Sequence, residues 1–397
     1  MNQLRIILIY FVLDRSLSGI YYLQNDLIVN QVYTSLGKIV GLYYFIKTIH
    51  LLYKEQKLFR YLTPILGMML TMFVSTLIHD GSLSRWLQAF YPICLMIPFL
   101  YTQLQSKVQT SVFLDAISSL YLFVGFLNLV QICFFPHLYS DDIWGAQIYL
   151  LGGENHVQYP LMIGLLFNLL NQYVNGKAQK TILYSVMHIT STFIVFSATS
   201  LVACLICMLC IYFKYFEIIL YKIRMIYILY ALACVFFVIV CLGGTGIFES
   251  TYMAPILEML GKDSTLSGRT YVWMTAMLQF FKNPILGNGF SDTANILDVW
   301  IVNANGVGKY YTLSSHNQFL QTLVEGGVVA IVMLFVFLQR IGNYIDKVHV
   351  KLSVLIKSCI IAFLILLMGE AGGWYNLWFV SIMGVMFGTL HFQSGYK

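Results

Sequence analysis

About a dozen apolar runs, each roughly long enough to cross a lipid bilayer, divide this chain from end to end. A membrane-spanning helix needs about 20 predominantly apolar residues, and helices are favoured there because each satisfies its own backbone hydrogen bonds. Only 10% of the residues are charged, against about 25% in soluble domains. The sequence therefore predicts an all-α polytopic membrane protein with about 12 transmembrane helices. The predicted spans are residues 4–24, 28–50, 62–78, 86–104, 111–133, 158–174, 181–197, 200–216, 225–242, 319–339, 354–370 and 374–391.

The first two runs are the weakest of the twelve. Asp14 and Arg15 interrupt the first run, and Lys38 and Lys47 lie within the second. A charged side chain at the centre of a bilayer costs about 2.5–3.5 kcal/mol unless it pairs or reaches the interface. No small-residue cleavage pattern follows the first run, so we interpret it as a retained span and not as a removed signal peptide.

Lysine and arginine divide unequally between the two sets of connecting segments. With the amino terminus inside, fifteen of these residues fall in inner segments and six in outer segments. Segments rich in Lys and Arg stay on the cytoplasmic side of the membrane. We therefore expect both termini in the cytoplasm and one large extracytoplasmic loop, residues 243–318, between spans nine and ten. The other two domains are spans one to nine in residues 1–242 and spans ten to twelve in residues 319–397.

The large loop carries two polar motifs, SGRTYVWMTAMLQFFKNPILGNGF and, after a spacer, SHNQFLQTLVEGG. In the first motif, residues 270–281 have the spacing of a short amphipathic helix, and Asn283-Pro284 ends it before a glycine turn. Most connections between elements have about 4–6 residues. A loop as long as this one is therefore expected to fold and to have a function.

Arg269 and His316 are the candidate catalytic residues of the loop. Arg269 is permanently charged and its planar guanidinium suits phosphate, but it could equally anchor the loop by pairing with Asp263 or a lipid head group. His316 is a histidine, the residue type most often used as a general base, and could act as one on a sugar hydroxyl. A lone histidine at a membrane surface is more often a structural hydrogen-bonding group.

Three neighbouring residues have both a functional and a structural interpretation. Asn317 could orient a substrate hydroxyl or cap the helix that follows it. Glu325 lies within a predicted span, where a carboxylate is usually functional, yet it could equally pair with a polar group inside the protein. Trp273 could stack on a sugar ring or belong to the aromatic belt of the membrane interface.

Together the two motifs resemble the signature of the O-antigen ligase and polysaccharide polymerase superfamily. The resemblance rests on an Arg–x3–Trp run beginning at Arg269, on the NPILGNG turn and on the HNQFLQTLVEGG run beginning at His316. It implies a GT-C-like membrane fold and a lipid-carrier-dependent glycosyltransferase that uses no metal and no cofactor. It also implies that Arg269 binds the pyrophosphate of an undecaprenyl-linked donor and that His316 activates the acceptor hydroxyl. Asn317 and Glu325 would shape the site.

A second basic residue that the resemblance implies is missing from its usual place. Members of the superfamily often have a further arginine near the start of the loop after span five, whereas residues 134–157 contain no Lys or Arg. Arg85, at the outer start of span four, is our candidate for the second cation, and His156 is a weaker one. With Trp273, Asn317 and Glu325, these two residues complete the predicted substrate-binding set.

On the basis of this resemblance, our main hypothesis is a polysaccharide polymerase for O-antigen, capsule or exopolysaccharide in the bacterial inner membrane. It would transfer a glycan from undecaprenyl pyrophosphate to the terminal sugar of a lipid-linked repeat unit. One alternative is an O-antigen ligase that moves the finished glycan to lipid A core or another terminal acceptor. A glycolipid flippase is an alternative of another class, disfavoured because a transport path would place polar residues along the spans. The expected partners are undecaprenyl-pyrophosphate-linked glycans, the bilayer and, as a candidate, a chain-length regulator, but no nucleic acid.

Overall fold

The computed structural model describes residues 3–14, 17, 20, 27–54, 56–139, 147–154, 156–243, 255, 269–291, 297–303, 306–312, 315–371 and 374–392. Helices account for most of these residues. In chain order they are α1 (Gln3–Leu13), α2 (Leu27–Lys54), α3 (Gln56–Ile78), α4 (Leu83–Gln103), α5 (Lys107–Phe134), α6 (Gln158–Asn175), α7 (Ala178–Val195), α8 (Ala198–Tyr212), α9 (Lys214–Lys222), α10 (Met225–Gly243), α11 (Arg269–Lys282), α12 (Gln318–Ile345), α13 (Val350–Gly369) and α14 (Trp374–Phe392).

Five helices of the described residues are long and apolar enough to cross a membrane: residues 60–78 of α3, and α4, α5, α12 and α13. There is a sixth if the bent pair α8 and α9 forms one span. Large apolar side chains such as Leu70, Phe126 and Val332 stay exposed on these helices, as expected where lipid surrounds the protein. The chain is therefore a helical membrane protein. The count of twelve spans stays a prediction.

Two helices differ from the spans predicted for them. α1 ends at Leu13, whereas the predicted span continues to residue 24. The following residue, Asp14, is buried and its carboxylate accepts a hydrogen bond from the hydroxyl of Tyr121. α8 ends at Tyr212, and α9 turns away from it by 95°. The predicted span 200–216 is therefore broken before its last residues.

Helix α13 lies at the centre of the molecule. In the most apolar 18-residue stretch of α13, 89% of the residues are buried. The reason is that α6, α8, α12 and α14 all pack against this helix. Such a helix is apolar on every side and not on one stripe only. A polar residue at its end is consequently enclosed by the ends of the surrounding helices.

The described part of the large loop contains a helix and a hairpin. α11 confirms the predicted amphipathic helix, with Arg269 as its first residue. Strands β3 (Leu297–Asn303) and β4 (Gly306–Thr312) pair antiparallel, with Leu297 opposite Thr312 and Asn303 opposite Gly306. β3 lies against α11. This hairpin was not predicted from the sequence, and neither was the short pair β1 (Ile148–Tyr149) and β2 (Gly152–Gly153) that precedes α6.

Candidate active site

Arg269 forms an ion pair at the start of α11. Its Nη2 donates a hydrogen bond to Oε1 of Glu370 at 2.5 Å, and only 18% of the Arg269 side chain and 11% of the Glu370 side chain are exposed. The alternative partner named from the sequence, Asp263, lies outside the described residues. Arg269 is thus anchored to the end of the central helix, with Glu370 as its partner.

His316 contacts the other oxygen of the same carboxylate. Its Nδ1 lies 3.1 Å from Oε2 of Glu370, and 42% of the His316 side chain is exposed. The backbone of His316 has a φ of 47°, in the left-handed region, which a residue with a side chain adopts at a cost of about 1–2 kcal/mol. Strain of this kind persists only where the surroundings over-determine it. The imidazole is therefore held beside Glu370 while part of it stays accessible.

Glu370, which the sequence analysis missed as a site residue, joins the two predicted catalytic residues. It follows the last residue of α13, and its backbone N–H donates to the carbonyl oxygen of Leu366 at 3.1 Å. Burial opposes ionisation of the carboxyl, but the hydrogen bond from His316 and the positive charge of Arg269 outweigh burial and lower the pKa of Glu370 below its ordinary value. The carboxylate is therefore ionised at neutral pH.

Asn317 is the N-cap of α12. Its Oδ1 accepts hydrogen bonds from the backbone N–H groups of Phe319 at 3.0 Å and Leu320 at 3.1 Å. Its Nδ2 donates to the carbonyl oxygen of Met368 at 2.9 Å. Of the two roles predicted for Asn317, the structure shows the helix cap. The cap also ties the start of α12 to the end of α13, next to His316 and Glu370.

The glycine turn after α11 packs into a break in α12. Gly327 interrupts that helix with a φ of 63°, and the N–H of Gly289 donates to the carbonyl oxygen of Glu325 at 3.0 Å. Gly287 has a φ of 73°, and a Cβ on it would lie 2.5 Å from backbone atoms of Glu325 and Gly326. Glycine is required there for both conformation and space. The NPILGNG and VEGG motifs are therefore one structural unit.

The side chain of Glu325 is buried inside α12. It accepts a hydrogen bond from Nε2 of Gln321 at 2.7 Å, and Oε1 of Gln321 accepts one from the backbone N–H of Ser315 at 2.8 Å. This chain of contacts connects Glu325 to the residue before His316. The sequence-based alternative, a pair with a polar group inside the protein, is thus observed, and direct contact with substrate stays a prediction.

Arg85 lies in the first turn of α4, beside the glycine turn. The N-cap of α4 is Ser82, whose backbone N–H donates to the carbonyl oxygen of Phe290 at 2.6 Å. Arg85 is also within electrostatic reach of Glu325. Arg85 therefore lies on the NPILGNG side of the site. The carboxylate of Glu370, on the other side, pairs with Arg269 and His316.

His156 lies at the Glu370 side of the site. It is exposed, precedes α6 and is within electrostatic reach of Glu370. Its ring centroid is 5.9 Å from that of Tyr159, a buried residue within electrostatic reach of both Glu370 and Arg269. Among the described residues the hydroxyl of Tyr159 has no hydrogen-bond partner. Tyr159 was not predicted, because a tyrosine in an apolar run has no distinctive spacing.

Trp273 is packed between two helices and not spread over an open surface. It is 5% exposed and belongs to a small apolar cluster with Ala276, Leu320 and Val324. The cluster holds α11 against α12 and thereby fixes the helix that begins with Arg269. A stacking contact between Trp273 and a sugar stays a prediction.

Residues 183–335 match the O-antigen ligase family. The match confirms the resemblance to the O-antigen ligase and polymerase superfamily. The O-antigen ligase match includes Arg269, His316 and the glycine unit, while Arg85, His156 and Glu370 lie outside its bounds.

One curated relative supports the same assignment. Over 87 residues the chain is 30% identical to the exopolysaccharide production protein ExoQ of Rhizobium meliloti (strain 1021). The aligned part covers 20% of this chain and 19% of the relative, so the chain spans about a fifth of the length of the curated relative it matches. No solved structure matches the chain significantly.

The assembled site combines a cation, a carboxylate and a partly exposed imidazole where several helix ends meet. Arg269 begins α11, His316 precedes α12 and Glu370 follows α13. A guanidinium can neutralise phosphate oxygens, and an imidazole held by a carboxylate can accept a proton from a hydroxyl. The arrangement can therefore support a group transfer in which a hydroxyl oxygen forms a new bond and an anionic group leaves.

Proposed function

We propose that the protein is a polysaccharide polymerase that uses a lipid-linked glycan as donor. The observation that carries the proposal is the pairing of Arg269 and His316 with the two oxygens of one carboxylate. The O-antigen ligase match and the relative's exopolysaccharide production support the same class of reaction. The transfer would move a glycan from undecaprenyl pyrophosphate to the terminal sugar of a lipid-linked repeat unit.

In the proposed reaction, a hydroxyl oxygen of the acceptor sugar attacks the anomeric carbon of the donor. The new glycosidic bond forms as the bond from that carbon to the pyrophosphate oxygen breaks, and the electron pair leaves with the pyrophosphate. His316 accepts the hydroxyl proton, and Arg269 neutralises charge on the departing group. Arg85 supplies a second positive charge at the NPILGNG side, and His156 is exposed at the opposite side.

The proposed setting is the bacterial inner membrane, with both termini in the cytoplasm and the site on the outer face. The asymmetry of Lys and Arg between connecting segments supports this orientation. It also agrees with twelve spans in a GT-C-like arrangement and one loop, residues 243–318, between spans nine and ten. A chain-length regulator would meet the protein at the same outer face, where the glycan grows.

A ligase is the second candidate, because the family that matches residues 183–335 is described as O-antigen ligase. The chemistry at Arg269 and His316 would be the same, and only the acceptor would differ. A polymerase extends a lipid-linked repeat unit, whereas a ligase moves the finished glycan to lipid A core or another terminal acceptor. The two activities therefore differ in which intermediate accumulates when the site is disabled.

The test is to express Arg269→Ala and His316→Ala variants in the host without the wild-type protein and to separate its glycans by size. A polymerase predicts single repeat units on the carrier and no ladder. A ligase predicts long glycans that stay on the carrier. Repeat units that accumulate on the inner leaflet would indicate a flippase instead.

Two matched variants control for general damage. Arg340→Ala and His349→Ala remove the same residue types at the opposite ends of α12 and α13, and both should leave the ladder unchanged. Ladders of normal length from Arg269→Ala and His316→Ala, at normal protein level, would contradict the proposed mechanism.

A further inference from the structure

We propose that Glu370 is a positioning residue that sets both the tautomer of His316 and the direction of the Arg269 guanidinium. This inference rests on the proposed function, because it assigns a role within that site. No role for Glu370 follows from the two sequence motifs, and the residue lies outside the segment that matches the O-antigen ligase family. Its importance comes from the contacts it makes with residues from two other segments of the chain.

The tautomer of His316 follows from the charge of its partner. An ionised carboxylate has no proton to donate and acts only as an acceptor. At 3.1 Å from Oε2 of Glu370, Nδ1 of His316 must therefore carry the proton and donate it. In the neutral imidazole the lone pair then resides on Nε2. Glu370 thus makes Nε2 the basic nitrogen of the ring.

The second oxygen of Glu370 orients Arg269. Nη2 of Arg269 donates to Oε1 at 2.5 Å, in a pair of which less than a fifth of either side chain is exposed. A guanidinium is planar, so fixing one nitrogen restricts the directions in which the other N–H groups can point. The remaining donors of Arg269 are consequently held in a limited arc beside the imidazole.

Glu370 is itself held rigidly. It follows α13, the most buried of the five helices that are long and apolar enough to cross a membrane, and Asn317 binds the carbonyl oxygen of Met368 two positions before it. A Cβ on the preceding residue, Gly369, would lie 2.7 Å from Oγ1 of Thr199, so the end of α13 is pressed against the start of α8. A carboxylate placed in this way can transmit position to its two partners.

During the transfer, the acceptor hydroxyl gives its proton to Nε2 of His316 as its oxygen bonds to the anomeric carbon. The imidazolium keeps its Nδ1 proton on Glu370, whose negative charge offsets the new positive charge. The leaving pyrophosphate takes the electron pair of the broken bond, and the proton on Nε2 passes to solvent or to that leaving group afterwards. Glu370 touches neither substrate and is unchanged in the balance of atoms.

Four titratable groups contact Glu370 or lie within electrostatic reach of it. Arg269 approaches from α11, His316 from the segment before α12, His156 from the segment before α6, and Tyr159 from α6 itself. Three of them are basic. These basic groups favour the charged form of the carboxylate.

The test compares Glu370→Gln and Glu370→Asp in full-length protein in lipid nanodiscs. The probe is the lipid-linked repeat unit isolated from a strain without the protein, used as both donor and acceptor. Glutamine keeps the size of the side chain but can donate to Nδ1, which would place the ring proton on Nε2. We expect kcat to fall about 10²- to 10⁴-fold, the range of general acid–base effects, with KM changed less than about threefold. Glu370→Asp keeps the charge and should retain more activity than Glu370→Gln.

A spectroscopic readout separates positioning from general stability. In protein labelled with ¹⁵N-histidine, the imidazole signals absent from a His316→Gln variant belong to His316, and their shifts report which nitrogen is protonated. Wild type should show the proton on Nδ1 and Glu370→Gln should not. Glu217→Gln, a carboxylate variant on α9 paired with Lys214, should change neither kcat nor the His316 signals.

The outcomes separate this inference from the proposed function. If His316→Gln abolishes transfer but Glu370→Gln has wild-type kcat or an unchanged His316 tautomer, the positioning role is overturned and the proposed function stands. If His316→Gln retains full transfer, the proposed function is overturned, and this inference falls with it.

Discussion

Arg269 and His316 share one carboxylate, although they belong to two separate motifs of the large loop. Nη2 of Arg269 and Nδ1 of His316 contact the two oxygens of Glu370 at 2.5 and 3.1 Å. Both motifs are thereby attached to the end of α13, the most buried of the five helices that are long and apolar enough to cross a membrane.

Replacing Arg269 by lysine tests whether the shape of the cation matters as well as its charge. Lysine keeps the positive charge but loses the planar fork that binds a carboxylate and phosphate together. We expect Arg269→Lys to lower kcat/KM for the lipid-linked donor at least about tenfold. Arg269→Ala should lower it about 10²- to 10³-fold, as for the loss of one group that stabilises a developing anion.

The measurement is initial transfer rate against donor concentration. The control is Arg340→Lys, because Nη1 of Arg340 bonds Thr63 at 2.9 Å near the other end of α12. Equal rates for Arg269→Lys and wild type would show that charge alone is sufficient.

The shifted pKa of Glu370 predicts a pH dependence of stability. Because its pKa is lower in the folded protein than in the unfolded chain, the unfolded chain binds the proton more readily, and stability rises with pH. The contribution should be complete above the ordinary carboxyl pKa, about 4.3. It should be lost as pH falls through the lowered pKa of the folded state.

Thermal unfolding in detergent at a series of pH values, for wild type and Glu370→Gln, measures this contribution. The difference between their melting temperatures should be constant near neutral pH and narrow as the solution becomes acidic. A difference that stays constant through the acidic range would argue against an ionised Glu370 in the folded protein.

Much of the helical framework could be predicted because the signal is local. An apolar run predicts a helix of membrane-spanning length whatever elements surround it, and helices α3 to α7 match five such runs. α11 likewise matches the amphipathic spacing of residues 270–281. The break between α8 and α9 was missed, although Lys214 and Glu217 mark it with charge and pair at 3.4 Å. The hairpin of β3 and β4 was missed despite Asn305-Gly306, a pair that favours tight hairpin turns.

The shared carboxylate could not be predicted from spacing, because its partners are more than fifty positions away. Glu370 was included as the last residue of the predicted span 354–370. An acidic residue within a span is costly unless it pairs. That cost could have indicated that Glu370 has a basic partner, although not which one. The packing of Gly287 against α12 could not be predicted either. Whether a side chain would fit at a glycine depends on which backbone lies beside it, and the sequence does not give that.

Two glycines with similar φ angles allow the packing of the glycine turn to be separated from its conformation. Gly176 has a φ of 68° with nothing within 4 Å of an added Cβ, whereas Gly287 has a φ of 73° and backbone of α12 at 2.5 Å. Alanine should cost about 1–2 kcal/mol of left-handed strain at either position. At Gly287 it should also separate the NPILGNG turn from the break in α12.

We therefore expect Gly176→Ala to lower the melting temperature slightly and to retain transfer activity. Gly287→Ala should lower it more and reduce activity, because Glu325 and Ser315 connect that unit to His316. The measurements are melting temperature in detergent and glycan ladder length in cells. Similar effects from both substitutions would show that the turn does not pack against α12 as described.

The buried pair of Lys357 and Asp346 holds the other end of α13. Nζ of Lys357 lies 2.7 Å from Oδ1 of Asp346, with 1% and 16% of the side chains exposed, and also donates to the carbonyl oxygen of Ile223 at 2.8 Å. Asp346 accepts the backbone N–H of Met225 at 3.1 Å. The pair thus joins α12 and α13 to the connection between α9 and α10.

Removing one member of a buried ion pair leaves the other charge uncompensated and costs about 3–5 kcal/mol, more than removing both. Lys357→Met should therefore lower the free energy of unfolding more than the double variant Lys357→Met, Asp346→Asn does. Denaturant titration in detergent micelles measures both. Because Glu370 lies at the opposite end of α13, the protein that stays folded should keep its transfer rate. If the double variant were the less stable of the two, the pair would stabilise the fold through its hydrogen bonds to the α9–α10 connection and not through charge compensation.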